Sequence, residues 1–211
     1  MIRTAGTIRH FPRQVLNRTL ALVGVLVLGL AGCSGTVSGT PGMDHSASPD
    51  ATGSASAANF NDADVQFAQM MIPHHTQAIE MSDMLLAKKD VNPEVVALAE
   101  QIKAAQQPEI DTMSDWLKAW GANTDGTDGM DHGDGNGMMT EDQMSALEQA
   151  DGASGQRLFL EHMIEHHSGA IMMAEDEVAN GQNPDAVALA KVIIESQQAE
   201  VKEMETLLDK L

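Results

Sequence analysis

One stretch occurs twice in this chain, and the repetition limits the folds open to it. Residues 67–81 read FAQMMIPHHTQAIEM and residues 159–173 read FLEHMIEHHSGAIMM, aligned without a gap at an offset of 92. Phe67 falls on Phe159, Met71 on Met163, His74-His75 on His166-His167, Ala78-Ile79 on Ala170-Ile171 and Met81 on Met173. A second block follows each copy at an offset of 91: Ala97-Leu98-Ala99 matches Ala188-Leu189-Ala190, Gln106-Gln107 matches Gln197-Gln198, Glu109 matches Glu200 and Met113 matches Met204. Each half reads as a helical hairpin of about 60 residues. One such hairpin cannot bury its apolar face alone. Two packed together predict an all-α, antiparallel four-helix bundle over residues 60–211, with an approximate internal two-fold axis.

Local signals mark the helix ends. Asn61 or Asp62 is the predicted cap of a helix reaching about Lys88, with Pro73 expected to kink it beside His74. Asn92-Pro93 and Asn183-Pro184 each join a capping Asn to a proline at the first helical position. Thr140-Glu141-Asp142-Gln143 has the capping-box form and starts a short helix to about Ala150. Residues 121–139 form a Gly- and Asp-rich loop, long for the interior of a domain. With 3% aromatic residues, no Tyr and 15 Met, the composition suits helices better than a sheet sandwich.

The first 32 residues read as an export signal: Arg3, Arg9, Arg13 and Arg18 precede an apolar run from Leu20 to Leu30. Leu30-Ala31-Gly32-Cys33 resembles the bacterial lipobox, which implies cleavage before Cys33 and lipidation of its sulfur. An ordinary signal peptide beside a free cysteine and an uncleaved anchor are the alternatives. Residues 33–59, rich in Gly, Ser, Ala, Thr and Pro, then read as a tether on the outer face of a membrane. Cys33 is the only Cys, so neither an intrachain disulfide nor a zinc-thiolate site can form. Loss of the signal leaves eight basic against 31 acidic side chains, a net charge of −23. Such a surface repels nucleic acid and anionic lipid and gathers cations.

The repeated residues are soft donors on one helix face. Met70, His74 and Met81 share a stripe with Met71 beside it; His162, His166 and Met173 share the matching stripe beside Met163. His162 and His166 have the spacing at which two imidazoles hold one metal ion. His75 and His167 point about 100° away, so the two His of each pair are expected to do different jobs. Thioether sulfur favours Cu(I), while imidazole accepts copper, zinc and iron alike, so the set points to copper first. Gly-Met-Asp-His occurs in the tether (Met43, His45) and again in the loop (Met130, His132), where Met138-Met139 follows. Glu109 and Glu200, each with a Met four residues on (Met113, Met204), are weaker ligands from the following helices. A di-iron centre asks for Glu-x-x-His on two helices, and no such motif covers His74 or His166. There is no phosphate-binding loop, nucleophile elbow or HExxH motif.

The doubled HH motif, with Gln-Gln-x-Glu-(Ile/Val)-x-x-Met in the helix after it, resembles the exported bacterial family catalogued as domain of unknown function 305. The resemblance covers about residues 60–211 and implies a ferritin-like four-helix bundle, with some members binding copper outside the cytoplasm. The family motif falls on Met71, His74, His75 and Met81 and on Met163, His166, His167 and Met173. The leading expectation is a lipid-anchored, extracytoplasmic protein that holds Cu(I) for sequestration, resistance or transfer to a partner protein. Two alternatives stay open: a metal-dependent redox enzyme, and an interaction module in which the His pairs only hydrogen-bond.

Overall fold

The computed structural model describes residues 59–123 and 136–211, all within one unit spanning Thr52–Leu211. The signal segment, Cys33, Met43, His45, Met130 and His132 lie outside the described residues. The described chain forms α1 (Asp62–Leu86), α2 (Pro93–Trp120), α3 (Glu141–Gln149), α4 (Gly152–Asn180) and α5 (Pro184–Leu208), with no strand. None of these helices is long and apolar enough to cross a membrane.

The helix ends follow from local chemistry. At α1 the Asn61 side chain accepts from the amides of Ala63 and Asp64 while Asp64 accepts from the Asn61 amide, so orphan donors are satisfied reciprocally. Asn92 and Asn183 cap α2 and α5, each followed by a proline whose missing N–H needs no partner there. Gly121 ends α2 in the left-handed region at φ +68°, which a side chain would strain. α4 begins at Gly152, where the Asp151 carboxylate accepts from the Ser154 amide at 2.7 Å and caps the first turn. α1 is one continuous helix through Pro73.

α1 packs along α2 and α4 along α5, and the two hairpins meet chiefly through α1 and α4, with α3 lying against both. Two apolar clusters result. One gathers Ala78, Met81 and Leu85 of α1, Val95, Leu98 and Ile102 of α2, Phe159, Leu160 and Met163 of α4, and Met204 and Leu207 of α5. The other gathers Phe67, Ala68 and Met71, then Met113 and Leu117, then Ala170, Met173 and Ala174, then Ala190 and Ile193. Chain direction alternates between them: α1 runs from the second cluster to the first, and α4 from the first to the second. Each fully buried Leu, Ile, Met or Phe contributes roughly 1.5–3 kcal/mol, so these clusters hold the fold. Between them every long helix carries polar residues instead: His74 and His75, Gln106 and Glu109, His166 and His167, Gln197 and Glu200.

Candidate metal centre

The repeat explains how these side chains meet. His74 and His166 occupy equivalent turns of α1 and α4, and their rings lie face to tilted face with centroids 3.7 Å apart and planes at 38°. His75 and His167, one residue on, turn toward the second helix of their own hairpin. His75 Nε2–H donates to Glu109 at 2.8 Å, and His167 Nε2–H donates to Glu200 at 2.7 Å. The two halves build the same bond with different shielding: the Glu109 side chain is 15% exposed and that of Glu200 7%. His74 Nε2–H donates to the backbone carbonyl of Asn136, also at 2.8 Å.

Those partners fix the tautomers. A carboxylate or carbonyl oxygen can only accept, so Nε2 of His74, His75 and His167 carries the proton and Nδ1 holds the lone pair. In all three the Nδ1 atom is buried and makes no hydrogen bond. Neither ring nitrogen of His166 makes one, nor does Nδ1 of the half-buried His162. A buried polar atom left without a partner costs about 1–3 kcal/mol. The layer therefore carries a standing penalty that a Lewis acid would relieve.

Charge on His74, His166 and His167 is disfavoured as well. Burial pushes His74 down to about 3, the hydrogen bond to Asn136 opposes this, and His75 and His167 add repulsion. Burial likewise lowers His166 well below the ordinary range, with His74 and the other imidazoles adding to it. His167 is lowered by burial against the opposing pull of Glu200. Neutral imidazole is the metal-binding form, so burial keeps these donors available in acid.

Asn136 and its neighbours form a strap across the layer. The Gln77 side chain donates to the Met139 carbonyl at 2.9 Å and accepts from the Met139 amide at 2.7 Å. At its other end the strap lies on the α4 backbone, where a Cβ on Gly169 would collide with the Asn136 carbonyl oxygen and one on Gly137 with that of Glu165.

The remaining predicted residues separate by depth. Met71 and Met163 are fully buried one helical turn before the His of their own helix. Met81 and Met173 are buried about two turns beyond, in the flanking apolar clusters. Met113 and Met204 are fully buried one turn after Glu109 and Glu200, also in those clusters. Met139 is buried beneath the strap and Met138 half-buried beside it. Met70, with Met173, faces a cavity at the surface. Sequence reasoning passed over Gln106 and Gln197, both buried with unpartnered amide atoms; their recurrence at an offset of 91 was the available signal. It also passed over Asn136, for which no local signal exists.

The pattern of the family described as Domain of unknown function (DUF305) matches residues 64–208. The chain belongs to the DUF305 family. A DUF305 fragment from Deinococcus radiodurans superposes with a TM-score of 0.66 at 29% identity, over 72% of this chain and 98% of that one. A candidate secreted DUF305 protein from Streptomyces coelicolor gives 0.65 at 33% identity, over 70% and 91%. CopM in its Cu(II)-bound form gives 0.61 at 36% identity, over 70% and 96%. CopM has also been solved in Cu(I)-bound and silver-bound forms. No curated protein matches the sequence.

Proposed function

We propose that this DUF305 chain binds Cu(I) in the polar layer and holds it for sequestration or for transfer to a partner protein outside the cytoplasm. The observation that carries the reading is the row of buried, unpartnered imidazole nitrogens, with Nε2 of His74, His75 and His167 already committed to an oxygen acceptor. Glu109 and Glu200 then act by orienting rings rather than as ligands. His74 and His166 are the central ligands, and Met71 and Met163 stand one helical turn before them. Thioether sulfur is the soft donor in this set. That favours Cu(I) over zinc or iron. The copper- and silver-bound forms of CopM, at about one third identity, support the same ion class.

In this reading the core is a ferritin-like four-helix bundle, and Cys33 carries the lipid that holds it to the outer face of the cell membrane. Met43, His45, Met130, His132 and Met138 are outlying capture ligands on the tether and loop. Competition with a Cu(I) chelator tests the layer. The H74A/H166A variant is expected to lose at least ten-fold in affinity, about 1.4 kcal/mol; parent-like affinity would remove the layer as the site.

A further inference from the structure

One cavity stands apart from the imidazole layer and ends beside it. It encloses about 390 Å³ between the first turns of α1 and the last turns of α4. Met70, Met172 and Met173 line it, with Asp176 and Glu177 on the same wall and Asn136 at the edge. Three thioethers thus share one surface cavity. Met173 is 9% exposed, as a core residue should be, but Met172 is 52% exposed and gains nothing from burial. Met70 is half-buried, and its sulfur accepts from the Gln66 side-chain amide at 3.6 Å. The side chain thus packs against the second apolar cluster while its sulfur keeps a polar neighbour.

We infer that this cavity is an outer binding site for a soft monovalent cation, held by the sulfurs of Met70, Met172 and Met173 and passed inward past Asn136 to His74. The inference rests on the proposed function for its inner destination, but the outer site stands on its own residues. Thioethers select a soft ion and reject Mg(II), Ca(II) and Zn(II), and the acidic side chain of Asp176 lies on the same wall. Neutral thioethers bind without releasing a proton. Asn136 is the one residue shared by cavity and layer: it lines the first, and its carbonyl accepts from His74 in the second. Transfer is a ligand exchange in which a metal–sulfur bond breaks as a metal–nitrogen bond forms, with no electron or proton changing hands.

Silver(I) is the probe, because it is soft, monovalent and inert to oxidation in air. Native mass spectrometry on the full chain counts bound ions, and stopped-flow mixing gives the loading rate. M70L/M172L keeps side-chain size at two partly or largely exposed positions and should leave the melting curve of the metal-free protein in place. It is expected to bind one silver ion fewer than the parent and to load at least five-fold more slowly, and M172L alone should slow loading. H74A/H166A should retain the outer ion. Parent-like count and rate in M70L/M172L would overturn the outer site whatever the His variant does. Loss of one ion in M70L/M172L with no loss in H74A/H166A would keep the outer site and remove the inner one.

Discussion

The imidazole layer is built in both halves of the chain, whereas a second buried polar region, where α1 starts beside the α4–α5 turn, exists in only one. At that corner the Asp64 carboxylate accepts from the amides of Asn61 at 2.6 Å, Asn183 at 2.8 Å and Gln182 at 3.1 Å. Burial raises Asp64, but these amides and the neighbouring Glu177 together hold it below the usual range. Glu177, 1% exposed, is pushed up to about 8 by burial and by the Asp64 carboxylate beside it, so it keeps its proton. In the other half the offset of 92 places Gln156 on Asp64 and Leu85 on Glu177. Gln156 accepts from the Asn92 amide at 2.8 Å, so a neutral side chain serves the same turn there. A backbone turn thus needs an oxygen acceptor and no charge. The layer, by contrast, repeats its His–Glu bond within 0.1 Å in both halves.

The two regions respond to pH in opposite directions, and the largest predicted effect tests this. The layer's lowered imidazoles stay neutral when folded while the unfolded chain protonates near pH 6.5, so stability is present above that value and lost as pH falls toward the folded values. Burial of His74 alone should remove on the order of 3–4 kcal/mol from the metal-free protein between about pH 6 and 3.5, read by urea unfolding. An acid limb unchanged in H74A/H166A would break the assignment. At the corner the sign reverses. Glu177 keeps its proton when folded up to about 8, but the unfolded carboxyl loses it above the ordinary value of 4.5, so stability falls as pH rises between them. Installing the other half's solution, D64Q/E177L, should flatten that limb and add roughly 2 kcal/mol at pH 8. A variant less stable than the parent at pH 8 would show that charge matters at this turn.

Smaller differences sharpen the symmetry of the layer. E200A should cost about 2 kcal/mol and E109A about 1, since the Glu200 carboxylate, 7% exposed, makes the more shielded bond and that of Glu109, 15% exposed, lies nearer water. Equal losses in thermal unfolding would mean that the two His–Glu bonds are equally shielded. Smallest is Q77A, at about 1 kcal/mol, which removes both bonds to Met139. Hydrogen exchange should then speed up at the Met139 amide and leave α5 unchanged; uniform speeding would indicate that the strap is part of the global fold.

Much of the helical framework was legible because its determinants are local. Asn61, Asn92, Thr140 and Asn183 mark helix starts through side chains that reach amides two or three residues away, and Gly121 marks an end through its own backbone. The candidate layer was half legible. His74 and His166 stood out through the repeat, and His75 and His167 were expected to differ from them by their angle on the helix. Their partners, Glu109 and Glu200, were weighed as ligands, whereas their Oε2 atoms accept from Nε2 of His75 and His167. Periodicity shows which face a residue occupies but not which neighbouring helix that face meets.

By itself, then, the sequence determined the helices, their caps, the two-hairpin repeat and the set of soft donors on one face of α1 and α4. Only the tertiary structure decided that α1 meets α4 so that His74 lies against His166, that Asn136 occupies His74 Nε2, and that Met172 shares a cavity with Met70. The physical reason is range. Helix formation depends on side chains within four residues of one another, whereas pairing His74 with His166, 92 positions apart, depends on how two apolar clusters pack on either side of a polar layer.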